Sequence, residues 1–304
     1  MEKSWLLTNS EFKGKIIGKL LGDGSITIQQ GRKPRFQFIH SATDYGWAYY
    51  CYKELLNVLP LNSPKYRTIK DTRLKAGYSY SYYIQSKTSD VISYLRSRWY
   101  PHGNKVIPFD LLDESFSLHS LAWWYMDDGH LKQSKNTPQK IVLSTDSFTE
   151  EDNEQLISLL SDKYNLHFRL DKQNRLILYD QFQIYYFLYL VTPYLHESMH
   201  RKIIKSYEYK FNVKSKRTTI YLPATIPIKY PTREINDALK KLDYLINSYK
   251  NNVFYDQYLP LNDNGTNEEI KGYQIILTAD NISKLQFLRK VIGLSISELA
   301  TICF

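Results

Sequence analysis

Two stretches of nine residues share one pattern, an apolar helical segment that ends in Asp-Gly. Residues 16–24 read IIGKLLGDG, and residues 121–129 read LAWWYMDDG. Each stretch is followed by residues that alternate between apolar and polar, which is the pattern of a half-buried strand. A repeat of this kind predicts two related units within one chain.

The alternation after each Asp-Gly predicts a β-hairpin with one apolar and one polar face. In the first repeat the apolar face would carry Ile26, Ile28, Phe36 and Phe38, and the polar face Ser25, Thr27, Gln29, Arg35 and Gln37. In the second repeat Leu131 would lie opposite the polar residues His130, Lys132 and Ser134.

The downstream patterns also match between the repeats. Helical periodicity covers residues 45–58 and 150–164, and closing helices are predicted at 90–99 and 182–191. Strand pairs are predicted near 65–70 and 78–85 in the first repeat, and near 167–172 and 175–180 in the second. These elements predict an α+β fold of two pseudo-symmetric αββαββα repeats forming a saddle of antiparallel sheets, followed by a small, mostly helical C-terminal appendage. The expected domains are 1–108, 109–222 and 223–304.

The polar sheet faces are candidates for reading base edges in the major groove of DNA. A sheet face that is simply exposed to solvent is polar as well, so the pattern alone leaves both interpretations open. The candidate DNA-binding residues are Ser25, Thr27, Gln29, Arg35, Gln37, Tyr80 and Tyr82 in the first repeat, and His130, Lys132, Ser134, Arg169, Arg175 and Tyr179 in the second.

The charge of the chain favours a polyanionic partner. Forty Lys and Arg residues face 31 Asp and Glu residues, giving a net charge of +9. Residues 226–304 contain nine basic and nine acidic side chains, so the surplus lies in residues 1–225. Nucleic acid is the commonest partner for such a surface.

Cysteine spacing and hydropathy indicate the kind of compartment in which the protein is expected to act. Cys51 and Cys303 lie far apart, which argues against a disulfide framework or a zinc site. Neither an export signal nor an apolar run long enough to span a bilayer is recognisable, so an intracellular protein without a membrane partner is expected.

The two Asp-Gly motifs predict a metal site if their helices pack side by side. Asp23 and Asp128 would then be neighbours, and two close carboxylates call for a divalent cation such as Mg²⁺ or Mn²⁺. The carbonyls of Gly22 and Asp127 are further candidate ligands at the helix ends, and the Asp127 carboxylate is an alternative to that of Asp128. Gly14, Gly18 and Gly22, four residues apart, would form a smooth helix surface for close packing.

The paired motifs resemble those of the LAGLIDADG homing endonucleases, in particular the single-chain, two-repeat, intron-encoded type. The resemblance covers about residues 12–215, although Trp123 replaces the small third residue of the second motif. It implies a monomer that hydrolyses one phosphodiester on each strand of a double-stranded DNA site and so promotes intron homing. It also implies catalytic roles for Asp23 and Asp128, and active-site roles for Lys105 and Lys202.

Other functions stay open at this point. Scaffolds of this type can bind intron RNA, so a splicing maturase is the main alternative and intron RNA a second candidate partner; a DNA-binding regulator that has lost cleavage is another. The compartment would be a mitochondrion or chloroplast for an organelle gene, and otherwise the cytoplasm of a bacterium or a phage-infected cell.

The end of the chain departs from the repeat. Prolines 223, 227 and 231 predict an extended linker before a helix. Two helices are predicted around Gly293 to Ser295, with Ser295 capping the second and Glu298 three residues later. They resemble a helix-turn-helix, and the pattern does not decide between a DNA-binding and a structural role.

Overall fold

The computed structural model describes residues 2–135, 137–204, 214–259 and 269–304. The chain forms two compact units. One is drawn from Met1–Ser134, Pro138–Tyr179 and Phe187–Ile204, and the other from Lys135–Thr137, Asp180–Tyr186 and Lys205–Phe304.

The first repeat combines helices with a four-stranded antiparallel sheet of order β1-β2-β4-β3. Its hairpin pairs Ser25 with Gln37 and Ile26 with Phe36, as the alternation predicted. Its elements are α1 (Glu2–Leu6), α2 (Ser10–Leu21), β1 (Ser25–Thr27), β2 (Arg35–Ser41), α3 (Tyr45–Leu55), β3 (Lys65–Lys70), β4 (Tyr78–Gln85) and α4 (Asp90–Trp99).

The second repeat has the same strand order, β5-β6-β8-β7. Its elements are α5 (Phe109–Ser115), α6 (Leu118–Asp128), β5 (Gly129–Ser134), β6 (Thr137–Leu143), α7 (Glu150–Tyr164), β7 (Arg169–Leu170), β8 (Leu176–Leu178) and α8 (Gln181–Val191), followed by short 3₁₀ segments at Thr192–Tyr194 and Glu197–Lys202. Two helix-bearing sheets with matching order confirm the predicted α+β class and its pseudo-symmetry.

Helices α2 and α6 pack closely because glycines of α2 face α6. A Cβ atom on Gly14 would lie 2.3 Å from Ser117 Oγ, and one on Gly18 would lie 2.4 Å from the Ser120 carbonyl oxygen. Only a residue without a side chain fits at such contacts. The predicted role of the glycine ridge is therefore confirmed.

One residue of the predicted apolar face is misplaced. Strand β1 ends at Thr27, and the next residue, Ile28, is 51% exposed. The alternation continued beyond the strand in the sequence, but the chain leaves the sheet there, so Ile28 does not join Ile26 in the core.

The second unit contains a two-stranded antiparallel sheet, β9 with β10, in which Lys216 pairs with Leu277 and Pro223 with Ile270. Helix α13 carries the predicted capping box between Ser295 and Glu298. The elements are β9 (Lys216–Pro223), α9 (Pro231–Ala238), α10 (Leu242–Lys250), α11 (Phe254–Tyr258), β10 (Ile270–Leu277), α12 (Ala279–Ile292) and α13 (Ile296–Ile302). None of the helices in the described ranges is long and apolar enough to cross a bilayer.

Candidate active site

The C-terminal ends of α2 and α6 meet, as the paired motifs predicted. The backbone N–H of Asp23 donates to Asp127 Oδ2 at 3.1 Å. A Cβ atom on Gly22 would lie 2.5 Å from the Cβ atom of Asp127. The negative charge of Asp23 also acts on Asp128, whose pKa it helps to raise. Three carboxylates from two distant stretches of sequence therefore share one site.

Asp23 lies among positive and hydrogen-bonding groups. His40 Nδ1, on β2, is 3.2 Å from Asp23 Oδ2. Burial acts to raise the pKa of Asp23, but the hydrogen bond from His40 and the charge of Lys19 outweigh it and hold the pKa below its ordinary value. Asp23 is therefore an ionised carboxylate at neutral pH.

Asp127 is a buried acceptor with several donors. Its Oδ1 atom accepts from Lys19 Nζ at 2.8 Å and from Trp47 Nε1 at 2.8 Å. Lys19 is fully buried, and burial acts to lower the pKa of its ammonium group, but the charges of Asp127 and Asp23, with the hydrogen bond to Asp127, contribute to an opposing effect that raises the pKa. The pair is a buried salt bridge that ties α2 to α6.

Asp128 has a different environment. Burial, followed by the charges of Asp23 and Asp127, raises its pKa to about 7. Its backbone carbonyl accepts from the Ser144 N–H at 3.1 Å. Near neutral pH the Asp128 carboxyl is poised between its protonated and ionised forms, so a cation beside it would favour the ionised form.

Both predicted lysines lie beside the motif of their own repeat. Lys105 Nζ donates to the Gly24 carbonyl oxygen at 3.1 Å. Lys202 Nζ donates to the carbonyl oxygens of Tyr125 at 2.9 Å and Asp127 at 3.3 Å, at the end of α6. Burial lowers the pKa of each ammonium group to about 8, although nearby carboxylates oppose the shift.

The two halves of the site are chemically unequal. Counting back from Asp-Gly in each motif, Lys19 corresponds to Trp124. His40 precedes Ser41 at the end of β2, and Leu143 precedes Ser144 at the end of β6, so these two correspond as well. Asp23 therefore has a lysine and a histidine beside it where the second repeat supplies apolar side chains. The sequence signal that could have revealed these contacts is Lys19, a lysine within an otherwise apolar stretch of helix.

The carboxylate cluster has the donor types of a metal site. Among the described residues, Asp23, His40 and Asp127 bring ligand atoms within 4.8 Å of one another. However, Lys19 Nζ lies 2.6 Å from His40 Nε2 and 2.8 Å from Asp127 Oδ1, so a positive charge already faces the Asp127 carboxylate. The carboxylates of Asp23 and Asp128 are therefore better candidates than that of Asp127 to bind a metal ion. Their oxygen donors suit a hard divalent cation.

The sheet of the first repeat carries its polar side chains on one face. Tyr83 Oη donates to Gln37 Oε1 at 2.8 Å, and the Arg67 guanidinium lies 3.6 Å from the centre of the Tyr83 ring. Gln85, Ser81 and Lys65 share this face through strand pairing. They were missed because the prediction took the alternate residues of β4 and none of β3. Of the predicted residues, the face carries Ser25, Thr27, Arg35 and Gln37, while Gln29 lies exposed beyond the end of β1.

Two predicted residues lie on the other face of this sheet. Tyr82 pairs with His40 and Tyr66, and its ring contacts Tyr45 of α3 at 4.5 Å. Tyr80 stacks on Tyr66 on the same side. Since side chains alternate along a strand, the expectation that Tyr80 and Tyr82 share a face with Gln37 is wrong.

In the second repeat, the polar side of β5 is exposed. His130, Lys132 and Ser134 face solvent, whereas Leu131 is buried. Arg169 and Tyr179 are also exposed. The Arg175 guanidinium is bound by the Asp171 carboxylate, with Nε to Oδ2 at 3.0 Å and Nη2 to Oδ2 at 2.6 Å.

Sequence comparison gives a family match and several relatives. Residues 13–190 match the profile of the LAGLIDADG DNA endonuclease family. An uncharacterized protein of Methanocaldococcus jannaschii is 31% identical over 199 residues, covering 64% of this chain and 74% of that protein. The cytochrome b mRNA maturase bI2 of Debaryomyces hansenii is 28% identical over 207 residues, covering 66% and 74%. A probable intron-encoded endonuclease of Wickerhamomyces canadensis is 27% identical over 214 residues, covering 67% and 88%.

Structural comparison supports the fold. The homing endonuclease I-WcaI, solved bound to its DNA recognition sequence, superposes with a TM-score of 0.56 at 22% identity. The match covers 67% of this chain and 92% of that chain.

Proposed function

Because this chain belongs to the LAGLIDADG DNA endonuclease family, we propose that it is a monomeric, site-specific endonuclease that cuts both strands of a double-stranded DNA site and thereby promotes intron homing. The observation that carries the proposal is the convergence of Asp23 and Asp128 at the ends of two packed helices, with Lys105 and Lys202 beside them. The protein would act in the compartment that holds the intron-bearing gene, an organelle or the cytoplasm of a bacterial or phage-infected cell.

Each side chain has a role that its surroundings support. Asp23 and Asp128 would hold a divalent cation, Mg²⁺ or Mn²⁺, with the carbonyls of Gly22 and Asp127 as further oxygen donors. When bound, the cation would neutralise negative charge that develops on the phosphate oxygens. The Asp127 carboxylate need not contact the cation, because its oxygens already accept hydrogen bonds from Lys19 Nζ and the backbone N–H of Asp23.

The two lysines would accept a proton from water or stabilise negative charge. An ammonium group with a pKa of about 8 exchanges its proton readily near neutral pH. Lys105 Nζ and Lys202 Nζ are therefore suited to orient and deprotonate a water molecule, or to stabilise the charged transition state, one lysine for each scissile phosphate.

The polar sheet faces would select the target. Arg35 and Gln37 in the first repeat, and Lys132 and Arg169 in the second, are of the types that bond to base edges and phosphates. We propose that residues 1–108 and 109–222 each read one half-site. Residues 223–304 would be an accessory segment.

The test is cleavage of the uninterrupted host gene with Mg²⁺. Asp23→Asn and Asp128→Asn should each abolish double-strand cleavage while DNA affinity stays within a few-fold of the parent protein. Asp162→Asn, at an exposed aspartate of α7, is the matched control and should cut normally. Full cleavage by either motif variant would refute the assignment.

A second candidate function is RNA maturation, which the similarity to a cytochrome b mRNA maturase favours. It predicts binding of the intron transcript and faster splicing whether or not the motif aspartates are intact. Incubating the same variants with the transcript separates the two functions, because cleavage depends on the aspartates and maturation does not.

A further inference from the structure

A continuous set of aromatic rings covers the helix-bearing face of the first repeat's sheet, beyond the part that α3 buries. We call it the tyrosine row, and it consists of Tyr45, Tyr49, Tyr66, Tyr78, Tyr80 and Tyr82. Tyr45 and Tyr49 come from α3, and the others from β3 and β4. The polar face proposed to bind duplex DNA is the opposite one.

The rings contact one another in sequence along the row. Tyr49 stacks on Tyr45 with centroids 5.7 Å apart, and Tyr45 meets Tyr82 at 4.5 Å. Tyr82 meets Tyr66 at 5.4 Å, and Tyr66 stacks on Tyr80 at 5.5 Å with an interplanar angle of 18°. Tyr78 continues the row at 5.4 Å from Tyr80. Each ring holds its neighbours in place, so the surface is pre-organised.

The row is exposed rather than buried. Tyr66 is 54% exposed and Tyr78 is 45% exposed, and Tyr45, Tyr49 and Tyr80 lie close to these values. Monomeric proteins rarely leave a contiguous apolar surface of this kind open without a binding role. A surface of contiguous rings that face solvent, with Tyr45 stacked on Tyr49 and Tyr66 on Tyr80, suits a partner with flat, apolar faces.

The charge around the row favours an anionic partner. Lys53 Nζ lies 5.5 Å from the centre of the Tyr49 ring, and Lys70 pairs with Tyr78 at the other end. The neighbouring acids already have basic partners: Asp44 binds Arg201, Asp71 binds Arg73 and Glu54 binds Lys15. Positive charge at both ends of an aromatic surface is the combination that binds unpaired nucleic acid, whose bases stack on rings while lysines meet the phosphates.

We propose that the tyrosine row binds unpaired RNA, and that the protein therefore carries a second nucleic-acid site on the face opposite the DNA-binding one. A duplex would not fit this role, since its bases are stacked within the helix. RNA is favoured over single-stranded DNA because exposed tyrosine hydroxyls can bond to a 2′-hydroxyl, and because a relative is an mRNA maturase. A second copy of the chain is a less favourable partner, because association through this row would bring the lysines of the two copies together.

The proposal is tested by measuring the affinity for a short fluorescent oligouridine, which has no self-pairing, by anisotropy. Replacing Tyr66 and Tyr78 together by Thr removes two rings and puts in their place a β-branched residue, which is favourable in strands. Binding should weaken by roughly 30-fold or more, given the usual contribution of one stacked base for each of the two rings removed. Replacing the same two residues by Phe should retain most of the affinity, because the rings remain, but should reduce the preference for oligouridine over oligothymidine, because the hydroxyls are removed.

The matched control is Tyr221→Thr, an exposed strand tyrosine (55%) outside the row, which should bind oligouridine like the parent. Equal affinity of the double Thr variant and the parent would overturn the proposal, as would equally tight binding of oligothymidine. A change of oligomeric state without loss of RNA binding would show instead that the row contacts a second copy.

The proposed RNA site rests on the proposed endonuclease function, which assigns duplex DNA to the other face of the sheet. The experiments distinguish failure of the RNA site from failure of the endonuclease function. The double Thr variant should still cut target DNA, whereas Asp23→Asn should still bind oligouridine.

Discussion

The two motif aspartates illustrate how local surroundings give identical side chains different charge states. Asp23 has His40 and Lys19 beside it, and its pKa lies below the ordinary value. Asp128 lacks both partners, and its pKa is raised to about 7. The second carboxylate is therefore the one whose ionisation costs free energy in the folded protein without a metal ion.

That cost predicts a pH-dependent gain in stability for Asp128→Asn. Below about pH 3 the carboxyl is mostly protonated in both the folded and unfolded chain, so the substitution should be close to neutral. As the pH rises towards 7 the unfolded chain ionises first, and the wild-type fold loses stability on the order of a few kcal/mol. In EDTA at pH 8 the variant should therefore unfold several degrees higher, measured by circular dichroism.

The control for this prediction is Asp162→Asn, whose exposed carboxylate should give no comparable difference between pH 3 and pH 8. An Asp128→Asn variant with the same melting temperature as the wild type at pH 8 would contradict the assigned environment. Adding Mg²⁺ at pH 8 should reduce the advantage of the variant, because a bound cation stabilises only the ionised aspartate.

His40 is predicted to position Asp23, and so to affect one strand more than the other. His40→Leu copies Leu143 of the second repeat and removes the partner 3.2 Å from Asp23 Oδ2. Loss of one hydrogen bond to a charged group should slow the Asp23-dependent cut by about tenfold. Supercoiled plasmid carrying the target should accumulate as the nicked form, with unchanged DNA affinity.

His40→Gln can still donate to Asp23 and should restore much of the linear product. If His40→Leu slows both strands equally, the residue supports the fold of the whole site and not one half of it. Strand-specific end labels distinguish these results.

At the level of elements, the α2–α6 contact holds the two halves of the site together. The glycines of α2 bring its backbone against Ser120 and Trp123 of α6. Trp123 occupies the position in the second motif that the small residue Gly18 occupies in the first. The large side chain is tolerated because Gly18 lies opposite it. Asymmetry between the helices is thus accommodated within the contact itself.

Gly18→Ala should destabilise the protein although alanine favours helices by about 1 kcal/mol over glycine. The new Cβ would lie 2.4 Å from the Ser120 carbonyl oxygen and 2.8 Å from Trp123 Cβ, so one helix must move. Overpacking of this kind costs roughly 1–3 kcal/mol. The free energy of unfolding and the rate of DNA cleavage should both fall.

Gly46→Ala is the matched control, since it also adds a methyl group within a helix, α3. Its Cβ would meet only the Ser198 side chain, at 3.0 Å, and a side chain can adjust more easily than a backbone carbonyl. The prediction fails if the two variants have the same stability.

Local pattern was sufficient to predict most elements of the repeats. Helix α7 and strands β3 and β4 have the predicted ends, because periodicity and capping are encoded by neighbouring residues. The β9–β10 sheet was not predicted, because its pairing joins residues about fifty positions apart. The site was predicted where a motif marks it, whereas the Lys19–Asp127 and His40–Asp23 contacts arise only when separate elements meet.

Across the whole molecule, basic charge is concentrated away from the C-terminal segment. Residues 226–304 carry equal numbers of basic and acidic side chains, so the net charge of +9 comes from the preceding residues. Lys65 and Arg67 of β3 are exposed on the face proposed to bind DNA. Electrostatic binding to phosphates should therefore depend on the repeats and not on the final segment.

This distribution predicts how salt should weaken DNA binding in different variants. The logarithm of the association constant should fall steeply and linearly with the logarithm of salt concentration, because bound phosphates release counterions. Replacing Lys65 and Arg67 by Gln should reduce that slope by roughly one for each phosphate that the protein no longer neutralises. Replacing the exposed Lys250 and Lys271 by Gln removes the same charge from the C-terminal unit and should leave the slope unchanged. An equal reduction in both variants would mean that the C-terminal unit binds phosphates too, through α10 and β10, which carry Lys250 and Lys271.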